Sequence, residues 1–359
     1  MYNIGIIGLG FLGGSLAKSL IKTDKVNKII AYDKNVESLI LAKKEKVITD
    51  YTEIIDKSFY ECDIIFICTP VKTIPSIAEK LDNIVNKNCI LTDIGSTKKT
   101  IIEKAKTLNR EFIGGHPMVG SERAGYQTSK DFLFENSYYI ITKSKKSTER
   151  ALNLLQELVL SINAIPILID ENEHDFITAT ISHVPHVIAS SLVSLVKQLD
   201  NENEIMKNLA AGGFKDITRI ASADPVMWEN ICTENKDEIL KVLSIFKKII
   251  NEFENNITNS EKIYNFFESS KKYRDSFINR KINGNTLPEL NIRIKDENGA
   301  IAKIATVLDK NNIGIRNLEI MNNRENNFGT LKVIFSNYEQ MEEGYNILSN
   351  IGYEVKIFW

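Results

Sequence analysis

Histidine is scarce in this chain: four residues among 359, at positions 116, 174, 183 and 186. Any imidazole chemistry must therefore come from one loop and one short segment. Cysteine is equally sparse, and Cys62, Cys68, Cys89 and Cys232 show no C-x-x-C spacing. That excludes a disulfide framework or a cysteine-based zinc site and leaves four thiols, two of them in apolar, strand-like runs. Neither sign of charge is in excess, with 45 Lys and Arg against 47 Asp and Glu and a formal net charge of -2. Nothing electrostatic points to nucleic acid or to an acidic membrane surface as a partner. No apolar run approaches the roughly 20 residues of a membrane span, so no span is expected. The chain starts Met1-Tyr2-Asn3 and leads straight into an apolar strand, so no signal peptide is expected and a cytoplasmic location is inferred.

What the chain does have is glycine at chosen positions. The stretch Ile4-Gly5-Ile6-Ile7-Gly8-Leu9-Gly10-Phe11-Leu12-Gly13 reads as strand, tight turn and helix, with Leu12, Leu16 and Leu20 at helical spacing. This is G-x-G-x-x-G in its expected context. Gly8 makes the turn, Gly10 admits a pyrophosphate and Gly13 lets helix and strand approach, with the helix N-terminus facing the anion. A second strand, Ile29-Ile30-Ala31-Tyr32, ends at Asp33, where an acid binds the adenosine ribose diol. Asp33 favours NAD over NADP, since its carboxylate repels a 2′-phosphate. Gly8, Gly10, Phe11, Leu12, Gly13 and Asp33 are the expected cofactor contacts on this side.

The length predicts two or three domains. Short apolar strands alternate with helices: Asn35 to Lys46 and Thr73 to Asn83 are read as helical, and Ile64 to Cys68 and Cys89 to Asp93 as strands. This is the pattern of a doubly wound α/β domain over residues 1–169. Thr69, Pro70 and Val71 follow a strand and should line the nicotinamide side of the crevice. From residue 170 to 278 strand signals vanish, predicting an all-α domain whose first helix is kinked or broken at Pro185, near Val184. The apolar breadth of Ile239 to Phe253 predicts burial, inside this domain or against a second copy, and favours a homodimer. Residues 279–288 read as a linker. Residues 289–359 then follow β-α-β-β-α-β, an α+β ferredoxin-like plan, with Asp296-Glu297-Asn298-Gly299 as a capping turn or a small-ligand site.

The candidate chemistry follows the histidines. His116 sits in the loop Gly114-Gly115-His116-Pro117-Met118-Val119-Gly120-Ser121, after a strand of the first domain, where a neutral imidazole suits a general base. A loop histidine bonded to backbone is the competing reading. Ser96 ends a neighbouring strand and could orient a substrate or the imidazole. His183 and His186 lie three apart; a metal would need further ligands that the segment does not supply, so anion binding is preferred and no metal is expected. His174 reads as an ordinary surface residue. Arg219 suits bidentate grip of a carboxylate, against a structural ion pair with Asp216, and Trp228 is pocket wall or core.

Taken together, the Gly-x-Gly turn with Asp33, Asp93-Ile94-Gly95-Ser96-Thr97-Lys98, Gly115-His116-Pro117-Met118, Ser182-His183-Val184-Pro185-His186, Gly213-Phe214-Lys215-Asp216-Ile217-Thr218-Arg219 and Asp224-Pro225-Val226-Met227-Trp228 closely resemble the prephenate dehydrogenases of tyrosine biosynthesis. The C-terminal segment resembles, by pattern, the ACT domain appended to many bacterial members. The resemblance implies NAD+-dependent oxidative decarboxylation of prephenate to 4-hydroxyphenylpyruvate. It implies that His116 accepts the C4 hydroxyl proton and that Ser96 hydrogen-bonds both that hydroxyl and His116. Arg219 would hold a substrate carboxylate, His183 and His186 would bind or position substrate, and Trp228 would close the pocket. Feedback by tyrosine through the ACT-like domain is also implied. Arogenate dehydrogenase is the nearest alternative, and a non-catalytic NAD-binding sensor is the alternative from another class.

Overall fold

The computed structural model describes residues 1–120, 124–278, 288–321 and 328–358. Ser121 of the His116 loop lies outside them, as does the expected linker except for its last residue, Pro288. By compactness the chain divides into Met1–Ile250 and Asn251–Trp359. That differs from the three-part division read from the sequence, because the helices after residue 170 pack against the sheet domain.

The first unit opens β1 (Tyr2–Ile7), α1 (Phe11–Leu20), β2 (Val26–Tyr32), α2 (Val36–Lys44), β3 (Asp50–Thr52), β4 (Ile64–Ile67), α3 (Ile74–Asp82), β5 (Ile90–Asp93) and α4 (Lys99–Ala105). It continues β6 (Glu111–Pro117), β7 (Tyr138–Lys143), α5 (Glu149–Ser161) and β8 (Ile165–Leu168). The eight strands form one sheet in the order β3-β2-β1-β4-β5-β6-β7-β8, parallel except where β7 runs against β6. Its first six strands have the Rossmann order, with the switch point between β1 and β4. Side-chain alternation assigns each face of the sheet its own core. Ile4, Ile6, Ile64 and Phe66 pack with Leu16 and Leu20 of α1, whereas Ile7, Ile65 and Ile67 pack with Ile74 and Leu81 of α3.

Beyond β8 come α6 (Glu171–Thr178), a π-helical turn over Ala179–His183, and α7 (Val184–Leu199), which form one continuous rod. The helix is not broken near Val184 as expected; instead a π turn ends where Pro185 enters the next helix without an N–H to donate. The rod is long and apolar enough, by length and composition, to cross a membrane, contrary to the expectation of no such run. His174, Asp175, His183 and His186 interrupt its apolar character and face protein, so it serves here as a domain helix. Next are α8 (Ile205–Leu209), α9 (Gly212–Thr218), α10 (Pro225–Glu234) and α11 (Lys236–Asn255). Ile239 and Val242 of α11 are buried, but Leu240, Ile245, Ile249 and Ile250 are exposed. Burial within the chain thus accounts for only one stripe of this helix.

The second unit contains α12 (Ser260–Ile278), β9 (Glu289–Lys295), α13 (Ala300–Lys310), β10 (Ile315–Met321), β11 (Phe328–Phe335), α14 (Tyr338–Asn350) and β12 (Val355–Phe358). Its sheet, ordered β10-β11-β9-β12, is antiparallel throughout, and Leu290, Ile292, Ile304, Leu331, Val333 and Leu348 fill its core. The β-α-β-β-α-β order expected here is the order observed.

One buried ion pair sits under the candidate site. The Lys98 ammonium donates to Asp93 Oδ2 at 2.7 Å, to the Gly95 carbonyl at 2.7 Å and to the Thr97 carbonyl at 3.1 Å, so all three of its protons are used. Asp93 in turn accepts from the Gly95 and Gly115 N–H groups. The turn after β5 is thereby tied to β6 immediately before His116. Removing one partner of such a pair leaves the other charge uncompensated, at a cost of about 3–5 kcal/mol. Lys98→Met should therefore lower unfolding stability by that amount in chemical denaturation at neutral pH. A loss below about 1 kcal/mol would show that the pair does not hold the turn.

Candidate active site

The nucleotide side is built from the turn between β1 and α1. Gly8 takes a φ of +98°, and a Cβ there would lie 2.7 Å from the Cys68 carbonyl oxygen. At Gly13 a Cβ would lie 2.0 Å from the Gly8 carbonyl oxygen, so α1 packs on the turn only without a side chain. Gly10, at the helix N-cap, faces open space, and the first turn of α1 carries no acidic residue. Phe11 and Leu12 contribute the first N–H groups of this helix, while the Phe11 side chain is buried. Asp33, at the end of β2, accepts from Leu9 N–H at 2.5 Å and from Asn35 N–H at 2.7 Å, which fixes its carboxylate beside the turn. An anion-binding helix end, an open glycine and a placed carboxylate fit a dinucleotide. Thr69 and Pro70 follow β4 across the switch point. Val71 does not extend this wall with its side chain, which belongs to the core beneath with Ile67 and Ile74.

His116 lies at the carboxyl end of β6, which runs parallel to β5 and so opens on the same sheet edge as Gly8 and Thr69. Its imidazole is buried, and its Nδ1 is 2.9 Å from His174 Nε2. His174 is fully buried, with Nδ1 2.7 Å from Asp175 Oδ1. The expectation of a surface histidine is corrected: α6 docks this side against β6 and α4. Asp175 is anchored by Lys98 N–H at 2.7 Å and Lys99 N–H at 2.9 Å, and so caps α4 from another helix. Its main-chain carbonyl accepts from Asn235 Nδ2 at 2.8 Å, and the same amide nitrogen lies 3.0 Å from His183 Nδ1. The carbonyl fixes the amide as donor, so His183 accepts at Nδ1 and presents its proton at Nε2. His186 Nδ1 is 2.9 Å from the Ser182 carbonyl, and its ring stacks on Trp228 with centroids 3.9 Å apart.

Burial sets the charge of these rings. It holds His116 well below the ordinary histidine range, helped by His174, Lys98 and His183 nearby. His183 is pushed down to about 4, chiefly by burial. Burial also lowers His174, against the opposing pull of Asp175, and lowers His186, to which the Arg219 charge adds. Burial alone would raise Asp175, but its hydrogen bonds from His174 and the two backbone N–H groups prevail and keep its carboxyl below the usual range. The result is a cluster of neutral imidazoles around one carboxylate.

The other expected residues divide. Trp228 lies on α10 between His183 and His186, and its Nε1–H has no protein partner among the described residues. A cleft of about 760 Å³ runs along α7, lined by His186, Ile220, Trp228 and Cys232. Arg219 begins the turn Arg219–Ser222 that packs on α7, and it is exposed. Among the described residues it makes no ion pair with Asp216, which removes the structural reading of that spacing. Ser96 is half-buried after β5; among the described residues the side-chain partner of His116 is His174, not Ser96 as expected. Sequence reasoning missed His174, Asp175 and Asn235. Their signal was present only for the first two, as a His-Asp pair one helix away from the base.

A family model described as "Prephenate dehydrogenase, nucleotide-binding domain" matches residues 16–168, and one described as "Prephenate dehydrogenase, dimerization domain" matches residues 170–272. The chain is 34% identical to a prephenate dehydrogenase of Bacillus subtilis over 339 residues, covering 92% of this chain and 91% of that protein. It is 35% identical to one from Lactococcus lactis, covering 97% and 98% respectively. Among solved structures it is similar to prephenate dehydrogenase from A. aeolicus in complex with hydroxyphenyl propionate and NAD+. That similarity has a TM-score of 0.73 at 33% identity and covers 77% of this chain and 98% of the other. By these matches, and by the Rossmann and helical architecture that carries the site, the chain belongs to the prephenate dehydrogenase family of NAD-dependent oxidoreductases.

Proposed function

We propose that this chain converts prephenate to 4-hydroxyphenylpyruvate with NAD+. The observation that carries the reading is His116: a buried neutral imidazole, tied through Nδ1, whose Nε2 has no protein partner among the described residues and which opens on the sheet edge of the nucleotide turn. NAD+ fits Gly8, Gly10, Gly13, the α1 N-terminus, Asp33, Thr69 and Pro70, and when bound it supplies a hydride acceptor. His116 Nε2 takes the proton of the C4 hydroxyl as hydride leaves that carbon. The bond from the ring to its carboxylate then breaks, CO2 departs and the electron pair closes the aromatic ring. Atom balance leaves no net proton, so His116 returns the proton to the phenolic oxygen. Ser96 is assigned to the substrate hydroxyl. The Nε2–H of His183, together with His186 and Arg219, is assigned to substrate carboxylate and side chain, with Trp228 as the wall.

The three-part division at residues 169 and 278 is part of the same reading, supported by the spans of the two family models. Exposed Val193, Leu195, Leu240, Ile245 and Ile249 support a homodimer through the helical region. The β-α-β-β-α-β unit is read as an ACT-type domain that binds tyrosine and lowers activity.

Formation of NADH or NADPH with prephenate or arogenate, each with NAD+ or NADP+, tests the assignment. Prephenate with NAD+ should turn over; turnover of arogenate alone would move the substrate assignment, and silence with both would leave a sensor. His116→Asn should lower kcat by about 10²–10⁴-fold with NAD+ affinity unchanged. The pH dependence follows from burial of that ring. The neutral form is the active base and its pKa is depressed, so kcat/KM should persist as pH falls through 6.5 and decline only well below it. An acid limb at or above 6.5 would assign the base elsewhere. Tyrosine should bind the full-length protein in calorimetry and reduce turnover; neither effect would leave the C-terminal unit without this role.

A further inference from the structure

We propose that Asp175 and His174 are positioning residues that direct the protons of the chain Asp175–His174–His116 one way and so fix His116 as an acceptor at Nε2. The inference rests on His116 being the base of the proposed reaction. The Asp175 carboxylate can only accept, and it already holds two backbone N–H groups. Its contact with His174 at 2.7 Å therefore requires the proton on His174 Nδ1. A neutral His174 then has its lone pair on Nε2, and the 2.9 Å contact to His116 Nδ1 requires the proton to be on His116. A neutral His116 has one proton only, so its lone pair lies on Nε2. Free imidazole side chains favour the opposite form, with the proton on Nε2, which could not accept from a substrate hydroxyl.

The surrounding groups leave this chain undisturbed. The Lys98 ammonium is fully occupied by Asp93 and two carbonyls, and His183 Nδ1 is occupied by Asn235. The relay ends at Asp175, which is 2% exposed, so it offers no exit to water. None is required. The reaction returns the proton to the product, so a closed relay that stabilises a transient imidazolium is sufficient. When the substrate O–H bond breaks and an N–H bond forms at His116 Nε2, the positive charge is opposed through His174 by the fixed Asp175 carboxylate.

The full-length protein labelled with ¹⁵N-histidine tests this directly, and its four imidazoles can be assigned by single His→Gln variants. His116 and His174 should both carry their proton on Nδ1, and His183 on Nε2. His116 protonated on Nε2 in the unsubstituted protein would overturn the inference, whether or not any variant folds. His174→Phe removes the acceptor; it should shift His116 toward the Nε2–H form and lower kcat by about 10²-fold, with KM for prephenate within about threefold. His174→Gln, which can still accept, should retain more activity. A kcat within twofold of the parent in His174→Phe would overturn the positioning role. Prephenate turnover with the wrong His116 tautomer would sink this inference alone, whereas the expected spectra without turnover would sink the reaction and support the tautomer.

Discussion

The structure of the site depends on where one carboxylate is held. Asp175 accepts the first N–H groups of α4, holds His174 through a side-chain oxygen and orients Asn235 through its main-chain carbonyl. Those three attachments join the sheet domain, the proposed base and His183. A buried anion is tolerated only when its acceptors are filled, and here they are filled by two backbone N–H groups and an imidazole. The same bonds that make the charge affordable in the interior also fix the angle between α6 and the edge of the sheet. Domain packing and the geometry of the imidazoles are thus consequences of one contact set.

The nucleotide half of the site was legible because its determinants are local. A positive φ at Gly8 and the close approach at Gly13 are demands of a single turn, and sequence periodicity identifies the strand and helix on either side. The substrate half was legible only as a set of residue types. His174 lies beside Asp175 in sequence and 58 positions from its partner His116, so the adjacent His-Asp pair was its only signal and did not by itself separate it from a solvent-facing helical residue. Asn235 reaches His183 across 52 positions, and a lone asparagine at a helix end has many structural uses. The Asp216–Arg219 spacing offered an ion pair as the competing reading of Arg219, and a local boundary works against it. α9 ends at Thr218 and Arg219 starts a tighter turn, so the side-chain pairing of an α-helix does not extend across that boundary.

The apolar residues show the same limit. Within the sheet, apolar runs meant burial, as the two cores of β1 and β4 show. Along α7 and α11 they did not, since Leu195, Leu199, Ile245 and Ile250 are exposed in the single chain. Periodicity identifies an apolar face; it does not state which surface covers it. The C-terminal sheet was easier, because the apolar residues that alternate along β9 and β11 share one core with α13 and α14 of the same unit.

The π turn at Ala179–His183 has an angular consequence. In a regular α-helix each residue advances by about 100°, so two side chains nine apart face opposite directions. His174 and His183 are nine apart, yet both turn inward, one toward His116 and the other toward Asn235. The π turn absorbs one extra residue and winds the helix back by about that single step, bringing the two side chains from opposite directions to within about 80° of one another. The insertion acts as a phase correction within one rod. Its presence means that the spacing between these two histidines is measured in degrees as much as in residues, and that removing the one absorbed residue would return the segment to regular α-helix with both histidines still on the same side.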